Sequence, residues 1–293
     1  MAEHTHRVVD KITGTETTGH EWDGIRELNT PLPRWWLWTF YMTIIWSIGY
    51  WIVYPTWPLV SSYTSGMFGW QSRQAILDDL AALKAQRAAM VDRIAATPLQ
   101  EILGDQTLLD FARAQGRTAF ADNCAPCHGA GGGGAKGYPN LNDDDWLWGG
   151  KLDDIAFTIH HGVRSTDENT RVGSMPAFGR DKILSRPDIL AVADYTRSLS
   201  GLAVPANANL AQGKKVFADN CAVCHGEAGK GNREIGAPDL TDQIWLYGSD
   251  SNTIVEGLMN GRGAVMPAWG PRLDDTTIKS LTVYVHTLGG GQK

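Results

Sequence analysis

The chain has 293 residues, 43% of them hydrophobic and 20% charged, with a formal net charge of -6. That modest acidic excess gives no support to nucleic-acid binding, which calls for a basic face. All four cysteines fall in two short motifs described below, so none is left for a disulfide framework.

Residues 1–34 form an N-terminal segment that ends in Arg34. From Trp35 to Tyr54 there is no charge, a run long enough at about 1.5 Å per residue to cross a hydrocarbon core of about 30 Å. Trp35, Trp36 and Trp38 at one end and Trp51, Tyr54 and Trp57 at the other make the interfacial belts of a spanning helix, taken here as 35–57. A cleaved signal peptide is excluded, because a long segment precedes the run and no small-residue cleavage site follows it. Arg26 and Arg34 precede the span and no Lys or Arg follows until Arg73, which predicts a cytoplasmic N-terminus and a periplasmic remainder. Thr39, Thr43 and Ser47 would draw a polar stripe on which a partner helix could pack, unless they bond back to their own helix.

Residues 58–107 read as a helical spacer. Gln71 to Ala96 carries Ile76, Leu77, Leu80, Leu83, Met90, Val91 and Ile94 as a partial apolar stripe. Thr97-Pro98-Leu99-Gln100 predicts a new helix start, with Thr97 as N-cap and Gln100 completing a capping box.

Beyond the spacer one phrase occurs twice. Phe120-Ala121-Asp122-Asn123-Cys124-Ala125-Pro126-Cys127-His128-Gly129 is answered by Phe217-Ala218-Asp219-Asn220-Cys221-Ala222-Val223-Cys224-His225-Gly226. Each holds Cys-x-x-Cys-His, the attachment signature of c-type haem. On one turn of helix two thiols share a face and can bond the two vinyl groups of one porphyrin, while the histidine reaches the iron. Cys124, Cys127, Cys221 and Cys224 are therefore the predicted attachment sites of two covalent haem c groups, with His128 and His225 as axial ligands. A thioredoxin-like pair needs no following histidine, and a four-thiolate zinc site does not set His against the second Cys in both halves.

Met175-Pro176-Ala177-Phe178-Gly179 and Met266-Pro267-Ala268-Trp269-Gly270 repeat in phase with the motifs. They make Met175 and Met266 the predicted sixth ligands, soft thioethers that favour reduced iron and suit an electron carrier. The simplest topology pairs His128 with Met175 and His225 with Met266; exchange of methionines between the copies is equally compatible with the sequence. His160 or His161 is a further alternative ligand for the first haem.

Trp146-Leu147-Trp148-Gly149 matches Trp245-Leu246-Tyr247-Gly248, and Tyr195 to Gly201 matches Tyr284 to Gly290. The chain thus predicts two tandem domains, 108–201 and 204–291, rather than a solenoid. In each, a helix runs into the motif (Gly116 to Cys124, Gln212 to Cys221) and another closes the copy (Arg186 to Leu199, Asp274 to Leu288). Little strand signal is present anywhere. The glycines from Gly131 to Gly134 fail as a P-loop and are read as letting backbone pass close to a haem face. Asp143, Asp144, Asp145, Asp153 and Asp154 form an acidic cluster that either steers a basic partner or simply faces solvent.

The segment Asp23-Gly24-Ile25-Arg26-Glu27-Leu28-Asn29-Thr30-Pro31-Leu32-Pro33-Arg34-Trp35-Trp36, one span, a helical spacer and two Cys-x-x-Cys-His domains together resemble the di-haem subunit III (CcoP/FixP) of cbb3-type cytochrome c oxidases. The resemblance implies a mainly α protein: one N-terminal transmembrane helix, a helical spacer and two tandem class I cytochrome c domains. It further implies a single-pass protein of the bacterial inner membrane that is no enzyme by itself. Such a subunit accepts electrons from a soluble or membrane-bound cytochrome c and passes them through the mono-haem cytochrome c subunit to the catalytic haem-copper subunit. Two rival readings are a free-standing membrane-anchored cytochrome shuttle and a di-haem peroxidase, the latter needing one iron with a removable ligand.

Overall fold

A computed structural model of the chain describes residues 7–292. It divides into two compact units, 1–85 and 86–293. The first opens with an antiparallel hairpin, β1 (Thr17–Trp22) and β2 (Ile25–Leu28). The hairpin corrects the expectation of little strand. Its turn is Asp23-Gly24, both at positive φ (52° and 83°), the primed-turn geometry that matches strand twist. The strands are too short and too polar to show period-two alternation, which is why the sequence pattern does not reveal them.

Helix α1 (Arg34–Val53) follows, with Pro33 as N-cap and no buried residue. It is long and apolar enough to cross a membrane. The hydroxyls expected as a stripe bond back to their own helix: Thr39 donates to the Trp35 carbonyl, Thr43 to Phe40 and Ser47 to Thr43. After α1 the chain folds back, with Met67 and Phe68 N–H groups on the Ile52 and Val53 carbonyls. Gly66 is required there: at φ 68° a Cβ would run into the Val53 backbone.

Helix α2 (Ser72–Ala96) carries the chain into the second unit. The expected capping box after it does not form. Thr97 instead donates to the Arg93 carbonyl, ending α2, and α3 (Leu99–Gly104) starts at Pro98 with no side-chain cap. Proline already supplies the starting φ, and the hydroxyl adds a second bond to the Arg93 carbonyl that the Thr97 N–H also meets.

The second unit continues with α4 (Gln106–Asn123), α5 (Ala125–His128), α6 (Leu152–His161), α7 (Arg186–Leu199), α8 (Leu210–Asn220), α9 (Ala222–His225), α10 (Ser251–Asn260) and α11 (Asp275–His286). Side-chain oxygens of Asp105, Ser185, Asn209, Asp250 and Asp274 cap α4, α7, α8, α10 and α11. The packing is crossed. Helix α4 lies against α11, and α8 against α7, so each sequence copy gives its closing helix to the other. Gly116 on α4 lets the Ser280 backbone and Tyr284 approach; Gly213 on α8 does the same for Ala191 and Tyr195. A Cβ at either position would overlap a carbonyl of the crossing helix.

Three buried clusters result. Phe120, Ile155, Ile159, Ile278, Leu281 and Val285 make one, and Phe178, Ile189, Val192, Val216, Phe217 and Leu258 make the second. In the third, Ile94 from the end of α2 packs with Ile102, Leu108, Ala112 and Val283. Lys279 on α11 completes this docking by donating to the carbonyls of Ile94 (3.3 Å), Ala95 (2.7 Å) and Thr97 (3.0 Å).

Candidate haem-binding site

Each cysteine motif is built the same way. Helix α4 stops at Cys124, and the single turn α5 follows, with the N–H groups of Cys127 and His128 on the Cys124 carbonyl (3.1 and 2.9 Å). In the second copy Cys224 and His225 bond the Cys221 carbonyl at the same distances. Two thiols and an imidazole therefore share one turn. All four cysteines are free, and Cys124 and Cys221 sit against different cores. Among the described residues no cluster of three or more His, Cys, Asp or Glu is set to hold a bare metal ion.

The histidines are oriented by residues the sequence reading missed. His128 Nδ1 bonds the Pro139 carbonyl at 2.9 Å, and His225 Nδ1 bonds the Pro238 carbonyl at 3.0 Å. With Nδ1 carrying the proton, Nε2 is left as the lone-pair donor an iron needs. The repeat held the signal, since Pro139-Asn140-Leu141 matches Pro238-Asp239-Leu240. Burial lowers the pKa of His225, with the Pro238 bond acting against it, which keeps the imidazole neutral and ready to coordinate. Burial, reinforced by the neighbouring thiol, pushes Cys124 and Cys221 up to about 11, so unattached they are inert thiols. Gly134 and Gly231 stand at positive φ, with the Tyr138 and Ala237 carbonyls where a Cβ would be, so these glycines let another stretch of the same loop pass close.

The methionines lie across the copies. Met266 packs on the core holding Cys124, Phe120 and Ile159, and Met175 on the core holding Cys221, Phe217 and Val192. Backbone pairs fix both. Met266 exchanges hydrogen bonds with Val163 (3.0 and 2.9 Å), Met175 with Arg262 (2.9 and 3.1 Å). The within-copy pairing, the simpler of the two open from sequence, does not bring methionine and motif to one core. Gly162 and Gly261, at φ 70° and 75°, let each methionine loop pass against the end of α6 or α10.

His161 Nδ1 bonds Asp167 at 2.9 Å, whereas the His160 ring packs on Gly270 and on His161 with its Nδ1 buried and without a partner among the described residues. The acidic cluster is not simply solvated. Asp144 and Asp145 line a cavity of about 560 Å3 with Asp239, Asp242, Lys230 and Arg233. Burial, then Asp242, Asp143 and Asp239, raise Asp145 to about 6.

The donor set fits haem c. Two thiols per turn suit thioether bonds, an oriented imidazole and a thioether suit the iron, and Trp245 Nε1 is a buried donor without a partner among the described residues. Bound there, the haem would supply one-electron redox chemistry.

Three family models match: "N-terminal domain of cytochrome oxidase-cbb3, FixP" over residues 14–61, "Cytochrome c" over 113–200, and "Cytochrome C oxidase, cbb3-type, subunit III" over 208–285. The chain is 63% identical to the cbb3-type cytochrome c oxidase subunit FixP of Azorhizobium caulinodans, covering 99% of this chain and 98% of that one. It is 56% identical to FixP of Bradyrhizobium diazoefficiens (98% and 99% covered) and 53% identical to subunit CcoP of an Azospirillum species (97% and 98% covered). End-to-end likeness of this kind, on top of two matching haem cradles, means that the chain belongs to the FixP/CcoP family, the electron-transferring subunit III of cbb3-type cytochrome c oxidases with two covalently bound haem c groups.

Proposed function

We propose that this chain is the electron entrance of its oxidase. A cytochrome c reduces one haem, the electron crosses to the other, and it leaves through a mono-haem subunit to the haem-copper subunit where oxygen is reduced. One haem is attached at Cys124 and Cys127 and ligated by His128 and Met266; the other is attached at Cys221 and Cys224 and ligated by His225 and Met175. Both irons are then six-coordinate, and oxygen chemistry stays on the partner subunit. The sequence domains 108–201 and 204–291 exchange their methionine loops and closing helices. The N-terminus faces the cytoplasm and the haems the periplasm of a bacterial inner membrane, which the arginines before the span support.

The observation that carries this reading is the methionine of each copy packed on the cysteine core of the other. Met175→Leu and Met266→Leu should each lower the midpoint potential of one haem and make it partly high-spin, with both haems still attached. In the reduced protein, nuclear Overhauser contacts between the Met175 methyl and the haem bound at Cys221 and Cys224 are expected. Contacts to the haem at Cys124 and Cys127 would overturn the exchange. Purification in mild detergent should bring two further haem proteins along, and a chain that purifies alone from its own membranes would favour the shuttle.

A further inference from the structure

The two methionine loops share one side chain. Arg164 follows the α6 turn and stands at φ 51°, a left-handed conformation a non-glycine residue adopts only when its surroundings fix it. Its guanidinium donates to the Gly173 carbonyl through Nη1 and to the Ala264 carbonyl through Nε at 2.6 Å. Gly173 lies two residues before Met175, and Ala264 two residues before Met266. The side chain is half-buried and makes no ion pair among the described residues. A planar fork with fixed donors is well suited to hold two carbonyls at a set separation.

The neighbouring arginines do something else. Arg262 pairs its backbone with Met175, while its guanidinium bonds the Thr253 carbonyl and lies 4.1 Å from the Tyr247 ring centre. Arg171 bonds Thr158 on α6 and lies over Trp148 and Phe157. Each of these anchors one loop to one helix. Of the three side chains Arg164 alone reaches both loops, and it belongs to a stretch in which eleven residues separate Val163 from Met175 where three separate Arg262 from Met266.

We propose that Arg164 is a positioning residue that staples the two methionine loops to each other, so that the sulfur ligation of both haem irons depends on one guanidinium. This rests on the reading of Met175 and Met266 as the ligands. When the staple is cut, both loops gain freedom and both irons spend more time without sulfur. An exogenous ligand then binds each iron more tightly, in proportion to the open fraction.

Imidazole is the probe, titrated into the full-length ferric protein in detergent. Arg164→Gln should raise imidazole affinity about tenfold at both haems. Arg262→Gln should raise it only at the haem that Met175 serves. Arg164→Lys, which keeps the charge but not the fork, should give a few-fold rise at both, and it carries the test if Arg164→Gln loses its haems. The ligand reading is checked separately: in the reduced protein each of Met175→Leu and Met266→Leu should remove one haem-shifted methionine methyl resonance. If those resonances are lost as expected, yet the Arg164 variants leave imidazole affinity unchanged or alter one haem alone, the staple is overturned. If the methionine variants change nothing, the ligand assignment has failed, and the staple with it.

Discussion

The two haem-bearing copies have the same parts and use them unequally. In the second copy Arg262 does two jobs, its backbone pairing with Met175 and its side chain gripping α10. In the first these jobs are divided: Val163 pairs with Met266 and Arg171 grips α6, with Arg164 between them. Trp146 Nε1 is satisfied by the Gly290 carbonyl at 2.5 Å, whereas Trp245 Nε1 has no partner among the described residues. The first haem core also takes in α11, whose outer face holds the spacer through Val283 and Lys279. The core at Cys124 is thereby tied to the spacer through α11, and the core at Cys221 is not.

The severest way to break this comparison is to remove one haem at a time. Cys124→Ala with Cys127→Ala should abolish one stained haem and loosen α11, and with it the docking of α2, read as faster proteolysis near residue 96. Cys221→Ala with Cys224→Ala should remove the other haem and leave that junction protected. A chain that keeps full peroxidase staining without one cysteine pair would end the di-haem reading.

Helix crossings come next. Gly213→Leu should force α8 off α7 and cost about 3 kcal/mol or more, with loosening confined to the haem at Cys221. Gly116→Leu should do the same for α4, α11 and the haem at Cys124. Midpoint potentials and haem retention on heating would read the difference, and a Gly213 variant that disturbs the first haem instead would contradict the crossed packing.

A smaller effect sharpens the junction of the copies. Asp145 titrates near 6 in the folded protein against 3.8 ordinarily, because burial and three neighbouring aspartates disfavour its charge, with Arg233 a partial offset. The folded state therefore holds this proton more tightly than the unfolded state, and the cost of ionising the group builds from about pH 4 to about pH 6 and persists above. Asp145→Asn should stabilise the protein at pH 7 by up to roughly 2 kcal/mol, and the gain should vanish below about pH 4. Thermal denaturation across that range is the check.

The smallest effect concerns docking. With Asp145 half-buried and Asp143 also raised by burial, Asp144 is left as the exposed charge of the three. Changing all three to Asn should slow reduction by a basic cytochrome c only about two-fold at low salt, converging with wild type where the Debye length falls to about 8 Å. A far larger effect would restore the cluster to the role of main steering surface.

Much of the chemistry was legible because it is local. Cys-x-x-Cys-His works within one helical turn, so spacing alone named Cys124, Cys127, His128 and their counterparts, and an uncharged run named α1. Pro139 and Pro238 were readable in principle from the repeat, but a carbonyl acceptor leaves no mark in a side-chain pattern. The hairpin at Thr17–Leu28 was missed because its strands are short and polar, and the cap at Thr97 was misread because its hydroxyl turns back to the Arg93 carbonyl rather than forward to α3.

What the sequence indicated by itself is therefore the groups whose spacing within a turn or whose composition marks them: the two cysteine motifs with their histidines, the apolar run, and the duplication. What only the tertiary structure decided is which copy's methionine and closing helix pack on which cysteine core. Both copies offer the same methionine, the same closing helix and the same glycine crossing, so local preference is indifferent between the folded-alone and exchanged arrangements. The choice falls to long-range pairings, Val163 with Met266 and Arg262 with Met175, whose energy exists only once the two copies have met.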